Sequence, residues 1–172
     1  GGGFKNPEEV STLVLLQAIR RQTDIPMVAA GGIADGKGMA AAFALGAEAV
    51  QMGTRFVSSA ESPVHMNYKQ AILDAKETGT YVLNKKASPC IRALKTERTT
   101  KIHEDGLMPA DTFKGIMDVY FGGDMEASVG LAGQSSGLID EVKTAKQIID
   151  ETVTEFFEIT ARLGVLAASR SF

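Results

Sequence analysis

Two glycine-bearing segments could do chemistry here without any reactive side chain. Gly31-Gly32 follows the apolar run Ile25 to Ala30, and Gln51-Met52-Gly53-Thr54 closes the run Ala47 to Met52. Glycine has no Cβ, so backbone N–H groups at such turns can come close to an anion. Thr54 adds a hydroxyl donor. A lone glycine pair is satisfied by the dihedrals of a tight turn. Two such turns on consecutive strands point instead to a phosphate held between adjacent strand ends. Gly53 is expected to take positive φ. Arg55, next in the chain, reads equally as a charge for that anion or as a partner in a rim salt bridge. Asp35 invites a catalytic role, but its position just before the helix of Gly38 to Leu45 makes it an N-cap. Gly1-Gly2-Gly3 is a third glycine run suited to close approach to a ligand.

The remaining reactive residues offer little. His65, in SPVHMNYK, reads as a capped surface residue, and His103 lies in a charged, exposed stretch. Cys90 follows Pro89 and has no visible partner base, so an inert thiol is expected. Two histidines and one cysteine, widely scattered, make no zinc site. No catalytic residue and no metal are assigned.

Positioning the two turns requires strand, turn, helix, strand, turn over Ile25 to Phe56. The continuous apolar runs predict strands buried on both faces. The alanine-rich helix should stop at Gly46 in the C′ position. Ahead of it, Asn6 as N-cap, Pro7 at the first position and Glu8-Glu9 in the first turn predict a helix running to Arg21. Residues 1–60 therefore read as loop, helix, strand, helix, strand. Downstream, Asn67 to Lys76 predicts a helix, Thr80 to Leu83 and Ile91 to Leu94 short strands, and Thr96 to Glu104 an exposed charged stretch. Pro109 to Phe121 predicts a helix closed by Gly122-Gly123-Asp124. Val129 to Gly137 reads as a loop and Glu141 to Leu163 as the longest helix. The tail Ala167 to Phe172 shows no pattern. The expected class is α/β: the closing part of a (β/α)8 TIM barrel (1–60), a small α+β cap or substrate segment (61–130), and a loop with a long C-terminal helix (131–172).

Composition narrows the function classes. The chain has 172 residues, 44% hydrophobic and 23% charged, with a formal net charge of −3. That balance suits a folded domain, and with no basic block it gives no support for nucleic acid. No run approaches the ~18 apolar residues of a membrane span. A cytoplasmic setting is the default. A complete barrel needs roughly 250 residues, so the chain is expected to be the C-terminal portion of a longer protein. The expected partners are a small-molecule substrate and either a second copy of the chain or an N-terminal half barrel.

AAGGIADGKGMAAAFALGAEAVQMGTRF resembles the flavin-binding segment of the nitronate monooxygenases (2-nitropropane dioxygenases) and of the FMN-dependent enoyl-acyl-carrier-protein reductases. The resemblance continues through Glu61-Ser62, Asn67-Tyr68-Lys69 and Ala132-Gly133-Gln134-Ser135-Ser136-Gly137-Leu138-Ile139. It implies that FMN is the cofactor. It also implies that Gly31, Gly32, Gln51, Met52, Gly53 and Thr54 hold the FMN phosphate, and that Gly3 and Gln134 face the flavin. The implied activity is oxidation of nitronates or nitroalkanes with oxygen. The alternatives are NAD(P)H-dependent enoyl reduction or a non-catalytic flavin- or phosphate-binding fragment. The resembled enzymes carry a proton-transferring histidine in a Gly-Gly-His turn. Here that turn reads Gly2-Gly3-Phe4, and phenylalanine transfers no proton.

Overall fold

The structure is a computed structural model that describes residues 1–5 and 10–169. Strand β1 (Gly3–Lys5) opens the chain, and helix α1 (Thr12–Arg20) follows. Then come β2 (Val28–Ala30), α2 (Gly36–Ala44), β3 (Ala49–Gln51) and the single turn α3 (Thr54–Val57). The second half holds α4 (Met66–Leu73), β4 (Thr80–Leu83), β5 (Cys90–Leu94), α5 (Glu97–Asp105) and the long α6 (Ala145–Ala168). The class is α/β, as the sequence predicts.

Strands β2 and β3 pair in parallel, Val28 to Ala49 and Ala30 to Gln51, with α2 as the crossover. Ala29 and Val50 turn toward α1 and α2 into a core of Leu16, Ile33, Ala42 and Ala47. The other face of the pair is open: Val28 is 62% exposed. The expectation of burial on both faces is therefore corrected. Only one face of this two-stranded sheet has helices against it.

The helix ends follow their caps. Asp35 accepts from the Gly38 N–H at 2.8 Å and starts α2 as an N-cap, not as a catalytic group. Gly46, at φ 94°, ends that helix in the left-handed conformation that favours glycine. The cap predicted at Asn6 to Glu9 lies outside the described residues. Helix α1 has Ser11 as its N-cap, accepting from the Val14 N–H. Helix α6 begins later than predicted, where Thr144 and Gln147 form a reciprocal capping box. It also runs further, through Ala167 and Ala168, which were expected to be patternless; residues 170–172 lie outside the described residues.

Three further readings are corrected. Gly3 is not in a loop: β1 pairs antiparallel with β5, which pairs antiparallel with β4. This sheet crosses the boundary drawn at residue 60. Residues 96–104 are not simply exposed. A Thr96–Thr99 capping box starts α5, which buries Thr99 and Ile102 against the sheet while its charges face out. Residues 109–121 are not one helix. Gly115 sits at φ 85°, which interrupts any helix, and only a π-helical turn, Asp118–Gly122, follows. A second core of Tyr68, Ile72, Leu94, Val119, Ala132 and Ile139 joins this half to the loop after residue 131.

Helix α6 packs along α2. The α2 N-terminus sits so close that a Cβ on Gly36 would lie 2.6 Å from the Thr152 carbonyl oxygen and from the Phe156 nitrogen. Glu155 clasps the contact. Its carboxylate accepts from the Gly36 N–H at 2.8 Å and pairs with Lys37 at 2.6 Å.

Candidate functional site

The two glycine turns open into one cleft of about 630 Å³, a size ordinary for a small-ligand site. Gly31 and Gly32 lie at φ 98° and 79°, reached at no steric cost by glycine. Gly53 does not share that feature: its φ is −82°, so the positive φ expected there is corrected. What Gly32 and Gly53 share is empty space. A Cβ on either would meet no atom within 4 Å, and both residues line the cleft. The cleft wall there is bare backbone, a fitting cradle for a phosphate.

The cleft also brings together Gly3, Gly31, Gln51 and Thr54. Thr54 Oγ1 accepts from the Gly133 N–H at 3.0 Å, which leaves its own proton to donate. Met52 departs from the expected set, packing against the Leu16–Ala47 core and absent from the cleft wall. Gln134 starts the short 3-10 turn Gln134–Leu138 and lines an adjoining cavity of about 540 Å³, which shares Gly31 and Gly32 with the first.

Glycine is structural at the crossing of three segments. Gly2 lies against the loop at Ala132 and Gly133, where an added Cβ would come within 2.4 Å of the Ala132 carbonyl carbon. On its other side Gly1 touches Gly31, whose Cβ would stand 2.8 Å from the Gly1 nitrogen. No side chain fits between these backbones.

Arg55 belongs to neither reading. It is 6% exposed and donates to the Glu141 carbonyl at 2.9 Å, tying α3 to the segment ahead of α6. Burial lowers its pKa against the pull of Glu151, Asp140 and Glu141. His65 caps α4 through Nδ1, which accepts from the Asn67 N–H at 3.1 Å. His103 is exposed and stacks on Tyr81 at 4.1 Å. Cys90 is buried. Phe4 lines the cleft, 68% exposed, with its ring 6.0 Å from that of Phe113. Among the described residues no cluster of metal-ligating side chains forms, and no helix is long and apolar enough to cross a membrane.

Sequence reasoning missed Thr12, Lys5 and Arg92. Thr12 donates to the Gly31 carbonyl at 3.0 Å and lines both cavities, holding the first glycine turn against α1. Lys5 and Arg92 bring cations to the cavity walls. The available signal was an arginine inside the apolar strand Cys90–Leu94, a placement that calls for a reason.

The profile of the nitronate monooxygenase family matches residues 1–155. The chain belongs to that family. A probable nitronate monooxygenase of Staphylococcus saprophyticus is 44% identical over 95 residues, 55% of this chain and 27% of that protein. A (3aS,4S,5R,7aS)-5-hydroxy-7a-methyl-1-oxo-octahydro-1H-indene-4-carboxyl-CoA dehydrogenase of Rhodococcus jostii is 30% identical, over 98% of this chain and 60% of its own length. Among solved structures, FabK from Thermotoga maritima superposes with a TM-score of 0.89 at 45% identity, covering 96% of this chain and 54% of FabK. Nitroalkane oxidase from Streptomyces ansochromogenes superposes with a TM-score of 0.77 at 26% identity, covering 95% of this chain and 51% of that one. The chain thus spans about half the length of these solved relatives.

Proposed function

We propose that this chain is the closing part of an FMN-binding (β/α)8 barrel in an oxidoreductase of the nitronate monooxygenase type, oxidising nitronates or nitroalkanes with oxygen. The observation that carries the reading is the pair Gly32 and Gly53. They stand at the ends of consecutive parallel strands, and each leaves the place of a side chain empty on one cleft. FMN bound there would supply the redox chemistry, taking an electron pair from a substrate carbanion and giving it up to oxygen.

The chain's own part is binding and orientation. Backbone N–H groups at Gly31-Gly32, Gln51 and Gly53 hold the phosphate, with the Thr54 hydroxyl as a further donor. Gly3 and Gln134 border the space left for the ring. Phe4 presents an apolar surface to the cleft where the resemblance implies a histidine, and phenylalanine takes no proton from a neutral nitroalkane. The working compartment is the cytoplasm, and the barrel is completed by an N-terminal half or accompanied by a second copy. A reductase reading, with hydride from NAD(P)H and an enoyl thioester as acceptor, is favoured by the 45% identity to FabK against 26% to nitroalkane oxidase.

The cofactor released from the purified protein by heat should elute as FMN on chromatography; FAD, or no flavin, overturns the assignment. Anaerobic NADPH separates the two activities, since only the reductase is bleached by it. Wild type should turn over a preformed nitronate faster than the neutral nitroalkane. Phe4→His should raise the neutral rate by up to the 10² to 10⁴, roughly, that positioned acid–base groups contribute. Equal rates on both substrates in wild type would show that another base serves.

A further inference from the structure

We propose that Phe4 and Phe113 form an aromatic wall of the cleft that takes the apolar tail of the substrate. The nitronates this site selects are then those with a longer hydrocarbon chain or an aryl group behind the nitro carbon. This rests on the nitronate reading and names the substrate class within it.

The wall follows from the antiparallel pairing of β1 with β5. Phe4 stands directly opposite Ile91. Residues opposite each other in such a pair lie on the same face of the sheet. On that face Ile91 is fully buried, in a core with Leu83, Ala93, Ile102 and Val129. Phe113 and Leu131, half-buried, pack against that core. The Phe4 ring lies 6.0 Å from the Phe113 ring at an angle of 38°, within the range in which tilted aromatic pairs attract. Phe4 and Leu131 both line the cleft. Through these side chains the core of the second half of the chain reaches the cleft wall. There Phe4 is 68% exposed, although Ile91 opposite it is 0% exposed.

Three features fit a hydrocarbon tail. An aromatic ring left in water is unfavourable, and an apolar group that covers it removes that cost. Phe113 and Leu131 extend the ring of Phe4 into one apolar surface, which is what a tail of several carbons needs. Phe4 also follows Gly3, which lines the same cleft. A tail on this wall therefore keeps its head group beside the place of reaction. The third feature is the residue type itself. A nitronate has already lost its α-proton and asks no base of this position. The position is then free to bind instead of titrating, and phenylalanine suits that task. The head of a nitronate carries the charge and its tail carries none, matching a wall of Phe4, Phe113 and Leu131. The nitronate of nitroethane covers little of this wall. A hexyl or phenylethyl chain covers more of it.

The test measures binding of acetate, butanoate, hexanoate and 3-phenylpropanoate by calorimetry. Their carboxylate has the planar shape and single charge of a nitronate head and does not react. The proteins are wild type, Phe4→Ala, Phe4→Leu and Phe113→Ala, each with its flavin content measured, and kcat/KM is taken in parallel on preformed nitronates of matching tails. Wild type should gain up to about fourfold in affinity per methylene, the fold-change that one buried CH₂ gives. Phe4→Ala should weaken hexanoate and 3-phenylpropanoate by about tenfold, with a loss that shrinks as the tail shortens. Phe4→Leu keeps an apolar side chain and loses the ring, so it should restore hexanoate more fully than 3-phenylpropanoate. Phe113→Ala should weaken 3-phenylpropanoate as well; if it does not fold, the Phe4 variants decide by themselves. The proposal is overturned if wild-type affinity does not rise with tail length, if Phe4→Ala weakens acetate as much as hexanoate, or if flavin-loaded wild type oxidises long and short nitronates equally well. Flavin-free protein with Phe4-dependent tail binding would remove the flavin reading and keep the wall. Flavin-loaded protein that oxidises nitronates without tail dependence would do the reverse.

Discussion

At the scale of single residues, Gly32 and Gly53 look alike in sequence and differ in what glycine does for them. Gly32 needs its positive φ as well as its missing side chain; Gly53, at φ −82°, needs only the missing side chain. Gly53 is therefore the cleaner probe. Gly53→Ala is compatible with its backbone and should leave the thermal midpoint unchanged or raise stability by up to about 1 kcal/mol through the unfolded state. Gly53→Val should then lower flavin occupancy in a protein that stays folded, because its methyl groups enter the cleft. Full occupancy in Gly53→Val would make Gly53 a turn residue and nothing more. The site was legible at this scale where a residue's role is local. Asp35 capping α2 follows from neighbours a few positions away; the sequence reads His65 as a surface residue and does not foretell its cap on α4. Lys5 and Arg92 were not legible, since they meet only through a strand pairing between residues more than eighty positions apart.

At the scale of elements, the same distinction separates what the sequence foretold from what it did not. The βαβ unit was visible because alanine-rich helix, glycine stop and apolar runs all agree locally. The strands of the second half were visible too, but α5 was not, because its apolar stripe is only Thr99 and Ile102 under a charged surface. The clasp between α2 and α6 joins residues 119 apart in sequence. It carries a pH dependence whose sign is set by Glu155. The hydrogen bond from Lys37 does most to hold the Glu155 carboxyl below the ordinary carboxylate range; burial opposes it, and the hydrogen bond from the Gly36 N–H and the charge of Lys37 add to it. A carboxylate depressed in the folded state contributes stability above its unfolded pKa, near 4.3 or so, and loses it as pH falls through the folded value. Wild type should therefore melt modestly above Glu155→Gln at neutral pH, and the gap should close in acid and shrink with added salt. A gap that stays constant from neutral pH into acid would show that packing, not charge, holds the two helices.

At the scale of the whole molecule, the crossing of Gly1-Gly2 between Gly31 and Gly133 fixes the relation of the first strand to everything else. A Cβ on Gly133 would lie 3.0 Å from the Gly2 nitrogen, just as one on Gly2 would strike the Ala132 carbonyl carbon. The three segments, at residues 1–2, 31 and 132–133 of the 172, meet at backbone distance. Substitutions at such a junction do not act independently. The first side chain to enter prises the segments apart, and a second then finds room already made. Double substitutions among Gly2, Gly31 and Gly133 are thus expected to cost less than the sum of the single ones. In genetic terms these codons are epistatic: each is held at glycine by the other two, and drift away from glycine is hardest for whichever changes first.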